Sequence, residues 1–132
     1  MTAPSEEFRP YLSAVFNRKP RSVTAIDVQQ YTSYTDMLVI VEAGSHRQVT
    51  AIAEHIITRL KADKILALGT EGIKEGEWAL LDYGSLIIHI FETRAKTFYD
   101  LEGLWGDAPR IDLSEFASSA RTSEAHADEN RH

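Results

Sequence analysis

The chain has 132 residues, no cysteine and a formal charge of −6, from 20 acidic against 14 basic residues. That length suits one domain with its own core, the lack of cysteine excludes disulfides, thiolate metal sites and thiol nucleophiles, and the acidic balance argues against a sequence-blind grip on nucleic acid and for a protein partner with a basic surface. No apolar run approaches the ~20 residues that span a bilayer, and an N-terminus carrying Glu6 and Glu7 resembles neither a secretory signal nor a transit peptide, so a soluble cytoplasmic protein is expected.

Residues 1–22 read as a variable N-terminal segment. Phe8, Leu12, Val15 and Phe16 fall at helical spacing. Pro10 favours a short helix starting there, because deeper inside its ring would meet the carbonyl four residues back. Arg18, Lys19 and Arg21 around Pro20 read as a linker. Val23–Val28 is a first strand, β-branched and partly alternating, and Gln29–Asp36 a polar loop. The continuous apolar run Met37–Val41 predicts a second strand buried on both faces.

Gly44 turns the chain, and Ser45 followed three residues later by Gln48 is a capping-box signature. The helix it opens puts Val49, Ile52, Ala53, Ile56 and Leu60 on one face and Arg47, Glu54, Thr58 and Lys61 toward water. Ile65–Leu68 is expected as a third strand, and strand, helix, strand implies a right-handed crossover with a parallel pair.

Two apolar runs, Trp78–Tyr83 and Leu86–Phe91, then flank Gly84-Ser85. Glycine first in a two-residue loop predicts a β-hairpin. Its alternation places Trp78, Leu80 and Asp82 on a face with Ile87, His89 and Phe91. Ala79, Leu81, Tyr83, Leu86, Ile88 and Ile90 take the other face. The loop fixes the register, with Asp82 opposite Ile87 and Leu80 opposite His89. A second amphipathic helix is expected over Arg94–Trp105, with Ala95, Phe98, Leu101 and Trp105 buried; Gly103, Gly106 and Pro109 end it. Residues 107–132 form a tail; beyond Phe116 they carry no bulky apolar residue, so they are expected to stay disordered. The sum is an α/β (α+β) single domain: a mixed sheet of about five strands with helices packed on it, in a nucleotidyltransferase-like topology, with residues 23–106 as its body.

The chemistry-bearing residues admit few sites. His46 and His55 are nine residues apart on one helix, about 180° around it, so they cannot chelate together. His126 and His132 fall in the tail; no metal and no cofactor is expected. Ser45 lacks the Gly-x-Ser-x-Gly setting of a nucleophile and reads as a cap. The alternative is anion binding at the helix N-terminus, which would make Gly44-Ser45 the site of a nucleotide-binding or nucleotidyl-transferring enzyme. Such enzymes need paired acids on adjacent strands for magnesium, and Ile65–Leu68 offers none. His89 is either a general base oriented by its diagonal neighbour Asp82 or a satisfied histidine on a covered sheet. Trp78 and Tyr99 are either core aromatics or anchors for a basic partner; Trp78 follows an acidic, glycine-rich loop that begins at Glu71.

These residues also form a pattern. Asp27-Val28, Thr35-Asp36, Gly44-Ser45-His46-Arg47-Gln48-Val49, Glu71-Gly72, Trp78-Ala-Leu-Leu-Asp-Tyr-Gly84, His89-Ile90-Phe91 and Phe98-Tyr99-x-Leu-Glu-x-Leu-Trp105 together resemble the ribosomal silencing factors, or Iojap-like proteins. The resemblance covers residues 23–106. It implies a non-enzymatic translation repressor that binds the large ribosomal subunit through ribosomal protein number fourteen and blocks joining of the small subunit. It also implies a nucleotidyltransferase-like domain without an active site, and a possible homodimer. Carried over by position, the partner-binding residues are Trp78, Asp82, Tyr83 and Tyr99, with Glu71 and His89 beside them.

Overall fold

The computed structural model describes residues 2–117. A single 3-10 turn at Glu6–Phe8 leads into α1 (Arg9–Phe16), which takes Pro10 in its first turn, where no intrahelical amide is lost. Then come β1 (Ser22–Asp27), β2 (Met37–Ala43), α2 (His46–Ala62), β3 (Gly69–Glu71), β4 (Trp78–Asp82), β5 (Leu86–Glu92), α3 (Thr93–Tyr99) and α4 (Leu101–Leu104). The five strands form one sheet in the order β1-β2-β5-β4-β3. β2 and β5 run parallel at its heart, and the other neighbours are antiparallel.

The capping box forms as expected. Ser45 Oγ accepts the Gln48 amide at 3.1 Å, and Gln48 Oε1 accepts the Gly44 amide at 2.6 Å. The α2 residues buried are Val49, Ile52, Ala53, Ile56 and Leu60, the stripe that the 3.6-residue period predicts. The hairpin register is also as expected, with Asp82 opposite Ile87 and Leu80 opposite His89. Gly84 supplies the positive φ, +86°, that the tight turn requires.

Two elements differ. Ile65–Leu68 is not a strand, although the Leu68 amide donates to Asp82 O at 2.7 Å; the third strand is Gly69–Glu71, antiparallel to β4. The apolar alternation there is real, since Ile65 and Ala67 pack on the core while Leu66 and Leu68 face solvent. Inward packing, not a ladder, explains it. The parallel partner of β2 is therefore β5, reached only after α2, β3 and β4.

The second helix is the other difference. It breaks at Asp100, which sits in the left-handed region at φ 44°, ψ 55°, a conformation that aspartate tolerates better than most residues. Asp100 Oδ1 then accepts the Gly103 amide at 3.1 Å and caps the short α4. A Cβ on Gly103 would lie 2.2 Å from Asp100 Oδ2, so the cap needs glycine there. Ala95, Leu101 and Trp105 pack on the sheet as expected, but Phe98, expected inside, is 80% exposed.

The sheet is covered on both sides. On one face α1 and α2 enclose a core that includes Leu12, Val15, Val39, Val41, Leu81, Ile88 and Ile90. On the other, Ala95, Leu101, Trp105 and Ala108 cover Ile26, Leu38, Ile40, Ile87 and Phe91. Residues 107–117, expected within the tail, fold onto the domain. The Asp27 amide donates to Pro109 O and the Ile111 amide to Ala25 O, both at 2.9 Å, along the free side of β1. Phe116 stacks on Phe16 at 6.1 Å. The remaining expected tail, 118–132, lies outside the described residues.

Candidate functional site

The second face is covered unevenly. α3 lies over β5 and β2, and Thr24 Oγ1 donates to Glu102 of α4 at 2.9 Å, tying that helix to β1. Toward the opposite margin, β4 and β3, α3 reaches Trp78 through Tyr99. Along that margin run Trp78, Leu80 and Asp82, with Gly69 opposite Asp82 and Glu71 opposite Leu80. Trp78 to Asp82 is four residues of strand, about 13 Å. The result is a shallow strip, aromatic at one end and acidic at the other.

The aromatic end is a cluster. The Trp78 ring lies 4.5 Å from Tyr99, 4.8 Å from Phe91 and 5.8 Å from His89, centroid to centroid. These are tilted or offset arrangements of the kind aromatic quadrupoles favour. Trp78 Nε1 donates to His89 Nδ1 at 3.0 Å. Phe98 meets Tyr99 edge-on at 5.1 Å and extends the cluster into solvent. Tyr99 is 42% exposed and Leu104, on α4, 73%.

At the acidic end Asp82 Oδ1 accepts the Gly84 amide at 2.8 Å, bracing the turn. Asp82 is half-buried and Glu71 exposed. The strip therefore presents two carboxylates beside apolar surface.

Five of the six expected site residues share this face: Trp78, Asp82, Glu71, His89 and Tyr99. Tyr83 does not. It points to the α1–α2 side, 8% exposed, and meets Tyr11 edge-on at 5.3 Å. Burial, with Tyr11 adding to it, pushes its phenol up to about 12. Its hydroxyl is buried without a hydrogen-bond partner among the described residues. His89 is on the right face but under it, 8% exposed, and desolvation lowers its pKa to about 4.

No hydrogen bond joins His89 to Asp82 among the described residues: His89 Nδ1 accepts the Trp78 indole N–H, and Asp82 Oδ1 accepts the Gly84 amide. At the α2 N-terminus the Gly44 and Gln48 amides are already bonded within the capping box. A concavity of about 690 Å³ opens at the far edge of the sheet between Phe16, Val23, Ile111 and Leu113 and holds none of these residues.

Sequence reasoning placed Phe98 inside and missed it as a surface residue. It also missed the break: Asp100 with Gly103 three positions on is the spacing of a new helix cap.

A family model described as "Ribosomal silencing factor during starvation" matches residues 2–132. The chain belongs to the ribosomal silencing factor family. It is 33% identical over 101 residues to a ribosomal silencing factor of Bacillus subtilis, covering 76% of this chain and 86% of that one. It is 30% identical over 95 residues to the chloroplastic protein Iojap of Arabidopsis thaliana, covering 72% of this chain and 40% of that one. A crystal structure from Bacillus halodurans superposes with a TM-score of 0.72 at 28% identity, covering 82% of this chain and 98% of that one. The family places the chain in translation regulation, and no helix among the described residues is long and apolar enough to cross a membrane.

Proposed function

We propose that this chain is a non-enzymatic anti-association factor of the cytoplasm. It binds the large ribosomal subunit through ribosomal protein number fourteen and stands where the small subunit would join. The observation that supports this is the strip along β4 and β3: Trp78 with Tyr99 and Phe98 of α3 at one end, Asp82 and Glu71 at the other. Apolar rings supply contact area, and the carboxylates suit a basic ribosomal protein. Tyr83 serves from behind, as core beneath the strip. A homodimer is the second association that the family resemblance implies, and sedimentation of the free protein reads it.

Co-sedimentation with separated ribosomal subunits tests the surface. Trp78→Ala is expected to weaken binding by about 2 kcal/mol, the scale of a central aromatic anchor. Asp82→Asn keeps an oxygen to accept the Gly84 amide while removing the charge, and is expected to cost about 1 kcal/mol, most of it in association rate. If both variants sediment with large subunits as the parent does, the assignment of this face is wrong.

The nucleotide-binding alternative at Gly44-Ser45 is tested by thermal shift with nucleoside triphosphates and magnesium. A midpoint that climbs with ligand concentration would support it.

A further inference from the structure

His89 is a polar residue on an otherwise apolar layer, and its one hydrogen bond explains why it is there. Nδ1 accepts the Trp78 indole N–H at 3.0 Å. An accepting ring nitrogen carries no proton, so His89 is neutral with its hydrogen on Nε2. The ring is wedged nearly parallel to Phe91, at 6.1 Å and 12°, two positions along the same strand. At 8% exposed it offers a partner almost no area of its own.

Trp78 has no other hydrogen-bond acceptor among the described residues. Freed of it, an indole N–H at the rim of an apolar cluster would swing toward water to be satisfied. Held by it, the indole N–H is turned inward and the ring packs against Phe91 and Tyr99 in one orientation. We infer that His89 is a positioning residue for docking: by accepting the indole N–H it holds the Trp78 ring in one orientation, its N–H turned away from the incoming protein. The inference rests on the reading of the β4–β3 strip as the docking surface. It also assigns the chemistry of that contact: apolar side chains meet the rest of the indole, while a hydrogen-bond acceptor reaching for it finds the donor taken.

The test uses the full chain and purified large ribosomal subunits. His89→Leu keeps bulk and removes the acceptor; His89→Asn returns an oxygen close to the position of Nδ1. His89→Leu is expected to weaken binding roughly tenfold, and His89→Asn to recover most of that loss. In a Trp78→Phe background, which has no N–H to hold, His89→Leu is expected to change affinity less than about twofold, because the two residues act as a pair. In the unsubstituted protein the Trp78 indole proton should exchange slowly with solvent by NMR.

Normal binding by a folded His89→Leu while Trp78→Ala fails overturns this inference alone. An equal loss in the Trp78→Phe background also overturns it, by showing a merely structural role. Rapid solvent exchange of the indole proton does the same, and needs no variant to fold. Normal binding by Trp78→Ala overturns the docking surface itself, and this inference with it.

Discussion

Tyr83 and His89 are both buried polar residues in the hairpin, and they have opposite consequences. The Tyr83 hydroxyl has lost water and gained no partner. Removing it is expected to relieve a desolvation cost, so Tyr83→Phe should leave stability unchanged or raise it by up to about 1 kcal/mol in thermal or urea melts. A clear loss of stability would show that the hydroxyl is satisfied in solution. His89 instead has its partner, and burial keeps it neutral. Its pKa falls from 6.5 to about 4 on folding. A depressed histidine contributes stability that is whole above pH 6.5 and is lost as pH falls toward 4, about 3 kcal/mol at most. Unfolding midpoints measured from pH 7 to pH 4 should fall accordingly, and His89→Leu should flatten the slope. Alternation along the strand already puts Tyr83 on the face away from Trp78. Its burial was not legible, because it depends on α1 arriving there from a distant part of the sequence.

The elements that could be read from local pattern are those whose own periodicity sets their geometry. α2 is long, capped by its own Ser45 and Gln48, and presents one apolar stripe, so period alone gives its buried face. The hairpin register follows from a two-residue loop, which leaves no freedom to slip. The segment after β5 resists such reading because a local side-chain bond overrides the period. Asp100 accepts the Gly103 amide, and the helix breaks between α3 and α4. Asp100→Ala removes the cap and puts a less tolerant residue at φ 44°, so it is expected to cost about 1–2 kcal/mol. Because Tyr99 immediately precedes that break, the same substitution should also weaken binding to large subunits. Asp100→Gly, which accepts the backbone but not the cap, should be milder in both assays.

At the scale of the molecule, the pairing of β2 with β5 was beyond local reading, since any of several later strands satisfies a buried apolar run equally well. The packing of residues 107–117 was missed for a related reason. Their apolar residues are too sparse to show a period, yet Ile111 and Phe116 each find a place prepared by other elements. Phe116 is 8% exposed against Phe16 and Arg9. Phe116→Ala is expected to cost about 2–4 kcal/mol in a denaturant melt, whereas a freely solvated tail residue would cost nothing. Net charge belongs to this scale too. A protein at −6 that meets a basic partner should associate more slowly as salt rises, with its dissociation rate far less affected.

The pairing of Thr2 with Ile111 sets the start of the described chain outside β1, and β1 itself lies four strand spacings, or roughly 19 Å, from β3. A fluorophore or affinity handle attached through Thr2 therefore sits at the opposite edge of the sheet from Asp82 and Glu71. Immobilised by that handle, the protein keeps the proposed docking strip clear of the support, so capture of large ribosomal subunits from solution tests that strip directly.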